Sequence, residues 1–126
     1  LEVMKTTAIL HKGVNKNPTL TPAEQVLEMA TIEGAKALSW QSEIGSIEVG
    51  KKADLTIINL KKPHLYPIYN EVSHLVYAVK ASDVETVIIN GQIIMENRTF
   101  KTLNIGKVME DTNKAKDNLL NKRAQC

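Results

Sequence analysis

Three histidines, His11, His64 and His74, and a single cysteine, Cys126, are the side chains of this sequence best suited to acid–base, nucleophilic or metal chemistry. A hydrolytic metal site needs imidazoles and carboxylates at set spacings, such as His-x-His or two histidines one helical turn apart. Neither spacing occurs here, so no metal ligand and no catalytic residue is assigned. His11 ends a helical pattern, where its charged form favours the C-terminal dipole. His64 sits among prolines and lysines in Lys61-Lys62-Pro63-His64-Leu65-Tyr66-Pro67 and is expected in solvent. His74, in Ser73-His74-Leu75-Val76-Tyr77, has the ordinary explanation of a packed, hydrogen-bonded side chain. Cys126 excludes an internal disulfide and a cysteine-built zinc cage, and is expected to be a frayed thiol in a reducing, cytoplasmic setting.

The carboxylates have structural explanations as well. Asp54 stands between a turn and an apolar run, a place for a side-chain-to-backbone bond. Glu24 closes an expected capping box, and Asp83 and Glu85 flank a strand entrance where solvation suffices. The pair Lys51-Lys52 lacks the glycines of a phosphate cradle. Tyr66, Tyr69, Tyr77 and Trp40 form no periodic stacking platform and are assigned to core and interface.

The elements that position these residues follow from periodicity. Leu1, Met4, Ala8 and His11 recur at helical intervals up to about Lys12, with Gly13 as the stop. Thr21-Pro22-Ala23-Glu24 predicts a helix start with a threonine N-cap, proline at the first position and glutamate closing the box. That helix is expected to continue to Ala37-Leu38, with Gly34 allowing close packing, and to end irregularly at Ser39-Trp40-Gln41. From Glu43 to Leu60 two glycines bracket Ser46-Ile47-Glu48-Val49, and a charged turn feeds the apolar run Leu55–Leu60: strand, turn, buried strand. Lys61 to Pro67 is expected as an extended loop, and Glu71 to Val79 as a short helix. Val84–Ile89, Asn90-Gly91 and Gln92–Glu96 predict a hairpin, with a second turn at Glu96-Asn97-Arg98. Val108, Thr112, Ala115 and Leu119 share one face of a final amphipathic helix, with Glu110 and Lys114 paired on the other.

The 126 residues suffice for one ordinary domain, and 43% hydrophobic with 24% charged residues places the chain among soluble globular ones. No apolar run approaches the roughly 18 residues of a membrane span. A formal net charge of +2 with interleaved acids and bases gives no nucleic-acid footprint. The chain opens on Leu1 with no leader pattern, which suggests an excised piece.

The pattern Ile44-Gly45-Ser46-Ile47, Gly50-Lys51, Ala53-Asp54-Leu55 and Ile58, with Ser73-His74-Leu75-Val76-Tyr77-Ala78 and Val87-Ile88-Ile89-Asn90-Gly91, resembles the metal-dependent amidohydrolase superfamily. Within it the resemblance is to the 5-methylthioadenosine/S-adenosylhomocysteine deaminases and their chlorohydrolase relatives. It covers about residues 1 to 110 and only the C-terminal part of such an enzyme. It implies an α+β fragment: residues 1–42 as the last helices of a (β/α)8 barrel, 43–103 as part of a small composite β-domain, and 104–126 as a C-terminal helix. It also implies a parent that hydrolytically deaminates a purine nucleoside with a divalent metal, zinc or iron. The metal ligands fall upstream of Leu1, so this chain is expected to bind no metal and to be inactive alone. No substrate-binding residue is assigned; His74 is the one candidate for lining the barrel mouth or orienting a neighbour, beside its ordinary structural explanation. Relatives usually carry glycine where Ser39 stands. The expected partners are the remainder of the enzyme chain and further copies of this one, since strand edges and apolar helix faces would be uncovered. The rival readings are a free-standing binding or scaffold module and a non-catalytic subunit.

Overall fold

A computed structural model of the chain describes residues 1–123, with side-chain surroundings through residue 121; Cys126 lies outside the described residues. Five helices and four strands follow in the order α1 (Glu2–Val14), α2 (Ala23–Ala30), α3 (Ile32–Ala37), β1 (Leu55–Ile58), α4 (Glu71–Tyr77), β2 (Val84–Ile89), β3 (Gln92–Glu96), β4 (Thr99–Phe100) and α5 (Ile105–Arg123). The architecture is α+β.

In the helical layer α2 packs against α1, α3 and α4. Its centre is Ala8, Ala23, Val26 and Val76, with Met4, Val72 and Tyr77 partly buried around them. Two of the four are alanines, so helix axes approach closely and the core is small. Burying a valine such as Val26, 1% exposed, contributes about 1.5–3 kcal/mol.

The helix starts and stops depart from expectation at three places. The first helix runs through Gly13 to Val14; its end is closed by Asn15, whose Nδ2 donates to the His11 carbonyl at 2.9 Å. Thr21 has φ +49°, incompatible with the extended N-cap conformation that its hydroxyl would need. Pro22 (φ −60°, ψ 164°) takes that position, and no side-chain cap forms. The expected single helix from Thr21 to Leu38 is two, broken at Thr31 (φ −126°, ψ −100°). The Thr31 hydroxyl donates back to the Leu27 carbonyl at 2.7 Å, a bond that bends helices. Gly34 follows this break, and a Cβ there would lie 3.1 Å from the Met29 carbonyl oxygen. The exit at Ser39 is irregular as expected, with φ +60°.

The stretch from Glu43 to Leu60 gives one strand rather than two. Ser46–Val49 stays outside regular structure, with Ile47 89% exposed and Val49 fully so. Leu55–Ile58 forms β1, but Thr56 and Ile57 are exposed, so it is an edge strand and not a buried one. The physical reason is the lack of a neighbour: β1 pairs with β2 on one side, and among the described residues nothing pairs with its other edge. Gly45 anchors the loop on the helices. With φ +93°, it lies where a Cβ would come within 2.7 Å of the Ala35 Cβ.

The sheet is antiparallel in the order β1-β2-β3-β4. Leu55 opposes Ile88, Ile57 opposes Thr86, and Ile89 opposes Gln92 across the hairpin. Asn90 (φ +49°) and Gly91 (φ +77°) supply the two left-handed residues of the expected tight turn. The second turn carries Asn97 and Arg98, also left-handed, into β4. Helix α4 forms where expected, capped by Asn70, whose Oδ1 accepts from the Ser73 amide at 2.7 Å. The loop expected to be extended contains a short 3-10 turn, Pro63–Leu65, which drives Leu65 into the interior at 1% exposure. Helix α5 carries the expected Glu110–Lys114 pair at 2.6 Å. Its apolar residues Val108 and Leu119 remain 47% and 67% exposed.

Candidate functional site

An open concavity lies between the two layers. Leu1, Met4, Leu27 and Ala30 from α1 and α2 face Ile47, Leu55 and Ile58 from the loop and β1, around an open cleft of about 740 Å³. Its walls are mainly apolar, which suits a protein segment or an apolar ligand better than a polar one. Glu48, Lys51, Lys52 and Asp54 bring charge to its rim. The Lys51 side chain is only 11% exposed and contacts Glu48 at 3.1 Å, and it also donates to the Ser46 hydroxyl. Ser46 in turn donates to Glu48. These contacts hold the Glu48 carboxyl below the usual range, first through Ser46 and then through Lys51. Lys52 pairs outward with Glu43 at 2.5 Å.

A second cluster holds the one buried charged side chain among the described residues. Asp83 is 2% exposed, and its Oδ2 accepts from the Lys80 amide at 2.9 Å and the His64 Nε2 at 3.0 Å. The Lys80 amide is the main cause of a depressed Asp83 pKa; burial opposes it, and His64 adds to it. Beside it, one Arg98 nitrogen donates to the carbonyls of Ser82 at 2.9 Å, Val84 at 3.1 Å and Ala81 at 3.3 Å. The cluster ties the 3-10 turn that buries Leu65 to the entrance of β2. One expectation fails here, since Asp83 is not a solvated strand flank; His64 is exposed as expected, but its ring also reaches Asp83. The available sequence signal was Asp83 three residues after Lys80, the spacing of a side chain that closes a turn on the earlier amide. Its pairing with His64 is set by tertiary contact and has no local signature.

The remaining candidates are dispersed. His74 Nδ1 lies 3.0 Å from the Asn70 carbonyl in its own helix, half-buried. His11 is exposed in the last turn of α1. Asp54 makes a side-chain-to-backbone bond as expected, but across the sheet: its Oδ1 accepts from the Asn90 amide at 2.6 Å. Glu24 lies in the first turn of α2 without a box to close. Among the described residues no three His, Cys, Asp or Glu side chains converge as a metal's ligand set would. The donors present therefore do not fit a hydrolytic metal centre, and no reaction step is assigned to them. Among the described residues no helix is long and apolar enough to cross a membrane.

The pattern described as the amidohydrolase family matches residues 1–94. The chain belongs to that family. It is 56% identical over 113 residues to a 5-methylthioadenosine/S-adenosylhomocysteine deaminase from Thermoanaerobacter pseudethanolicus, covering 90% of this chain and 26% of that protein. It is 47% identical over 119 residues to a 5'-deoxyadenosine deaminase from Methanosarcina acetivorans, covering 94% and 27%. A crystal structure of an adenosine deaminase from Xanthomonas campestris with bound zinc superposes with a TM-score of 0.90 at 32% identity, over 94% of this chain and 27% of that one. An atrazine chlorohydrolase from Arthrobacter aurescens shares the fold alone, with a TM-score of 0.80 at 21% identity. The chain thus spans about a quarter of the length of the relatives that it matches.

Proposed function

We propose that this chain is the C-terminal portion of a metal-dependent purine nucleoside deaminase and has a structural role in it. Residues 1–42 supply the last helices of the barrel, 43–103 part of a small composite β-domain, and 104–126 a terminal helix. The observation that carries this reading is the 56% identity to a 5-methylthioadenosine/S-adenosylhomocysteine deaminase, confined to about a quarter of that protein. The net reaction of the whole enzyme is hydrolysis at the purine C6 amino group, releasing ammonia and leaving the inosine analogue. The divalent metal, zinc or iron, belongs to the remainder of the enzyme.

In this reading the interlayer cleft, the free edge of β1 and the exposed Ile47 and Val49 receive that remainder. No residue of this chain is assigned to substrate binding; the half-buried His74 is its one candidate, against the structural role that its bond to the Asn70 carbonyl supports. With its partner surfaces bare, the isolated chain self-associates, which sedimentation velocity reads directly; a clean monomer at high concentration contradicts it. The functional test is a deaminase assay with added zinc. It is run on 5-methylthioadenosine, S-adenosylhomocysteine and 5'-deoxyadenosine, with this chain beside the longer protein that contains it. Turnover by the longer protein alone is the expected result, and turnover by the isolated chain contradicts the reading.

A further inference from the structure

The hairpin turn Asn90-Gly91 carries a reaction that no cofactor or partner is needed for. An asparagine followed by glycine can cyclise: the Gly91 amide nitrogen loses its hydrogen and attacks the Asn90 Cγ. The new N–C bond replaces the bond to the side-chain nitrogen, which leaves as ammonia. Water then opens the succinimide at one carbonyl or the other, giving aspartate or an isoaspartyl linkage. Glycine speeds the attack because no Cβ crowds the nucleophile. Asn90 is exposed to the water that the second step consumes.

The folded turn engages one reacting group, the Gly91 nitrogen, and pins the backbone of the residue that carries the other. The Gly91 amide donates to the Ala53 carbonyl at 3.0 Å, so its nitrogen is engaged and points across the sheet. The Asn90 amide donates to the Asp54 carboxylate at 2.6 Å. Both residues stand at left-handed φ, +49° and +77°, and attack requires the backbone between them to rotate out of the turn. Ala53 and Asp54 belong to the segment that leads directly into β1, so the turn is clasped by the strand across the sheet and not by its own hairpin alone.

We infer that Asn90 is a deamidation site held closed by the Ala53–Asp54 clasp, and that its conversion records the release of the β1 segment from the hairpin. The record is one-way. An isoaspartyl residue adds a backbone carbon to a two-residue turn whose register pairs Ile89 with Gln92, and the clasp cannot close again on the lengthened turn.

The test uses the full natural-length protein held at mildly alkaline pH, with aspartyl and isoaspartyl products at position 90 counted by peptide mapping. Conversion is expected to be slow in the folded protein and fast in denaturant. Asp54→Ala should raise the folded rate roughly ten-fold or more, the effect of losing one charge-assisted hydrogen bond on an opening equilibrium. Asp54→Asn keeps an acceptor and should fall between the two. A second measurement does not depend on any variant folding: denaturant below the unfolding transition should raise the deamidation rate and the hydrogen-exchange rates of the Asn90 and Gly91 amides in parallel. A folded Asp54→Ala protein that converts at the unmodified rate overturns the inference. So does deamidation that stays constant while those two amides open.

Discussion

The hairpin β2–β3 and the loop that precedes β1 both carry the isoleucines and valines of strands, yet only the hairpin forms strands in this chain. Val84–Ile89 and Gln92–Glu96 pair with each other through a turn whose Asn-Gly sequence fixes the geometry locally. Ser46–Val49 alternates polar and apolar residues as a half-buried strand would, and forms no strand, with Ile47 89% exposed. Alternation specifies a surface that fits a pleated neighbour, and the neighbour must be present for a strand to result. On the proposed reading, the difference separates parts of the chain that fold on their own contacts from parts that await the remainder of the enzyme.

The largest expected effect sharpens that division. Leu65 is 1% exposed beneath the 3-10 turn, and Leu65→Ala should lower the unfolding free energy by about 2–5 kcal/mol. Val49→Ala, at a fully exposed position, should change it by less than about 0.5 kcal/mol in the isolated chain. Denaturant titration of the two variants measures both. A similar loss in each would mean that the loop is part of this chain's own core.

The Asp83 cluster comes next, because it joins the interior turn to the sheet. Asp83→Ala strands the His64 ring and the Lys80 amide and should cost about 1–3 kcal/mol. The pH dependence has a definite sign. The carboxyl is depressed below its ordinary value of 3.8 in the folded chain, so its contribution is complete above that value and is lost as pH falls through the folded pKa. The stability difference between the unmodified chain and Asp83→Asn should therefore shrink as pH drops below about 3.8. Unfolding curves at a series of acid pH values measure this; a difference independent of pH there would remove the charge from the account.

The smallest effect is a gain. Ser39 holds φ +60° at the exit of α3, a conformation that costs an L-residue about 1 kcal/mol and costs glycine little. Ser39→Gly should relieve that strain by up to about 1 kcal/mol, less the greater freedom of glycine in the unfolded chain. A shift of the denaturation midpoint to higher denaturant at unchanged slope is the expected readout.

How far the fold was legible tracks the range of the interactions. The hairpin, the short helix α4, the last helix with its Glu110–Lys114 pair and the irregular exit at Ser39 all follow from residues within a turn of one another. The failed capping box at Thr21, the break at Thr31 and the run through Gly13 depended on backbone angles that propensity does not fix. His64 and Asp83 were missed as partners because nineteen positions separate them and nothing local links an imidazole in one loop to a carboxylate in another. The family was legible from the Gly45–Ile58 and Ser73–Ala78 patterns, since those residues carry it wherever the rest of the protein lies.

The central claim is that the cleft and the loop above it are shaped for the remainder of an amidohydrolase. Ile47→Asp tests it most directly, with thermal unfolding followed in the isolated chain and in the longer protein that contains it. The account predicts an unchanged transition in the isolated chain, at a dilution that keeps it monomeric and Ile47 in water, and a lowered one in the longer protein, where a carboxylate would be pressed into an apolar seam. Equal transitions in both forms would contradict it.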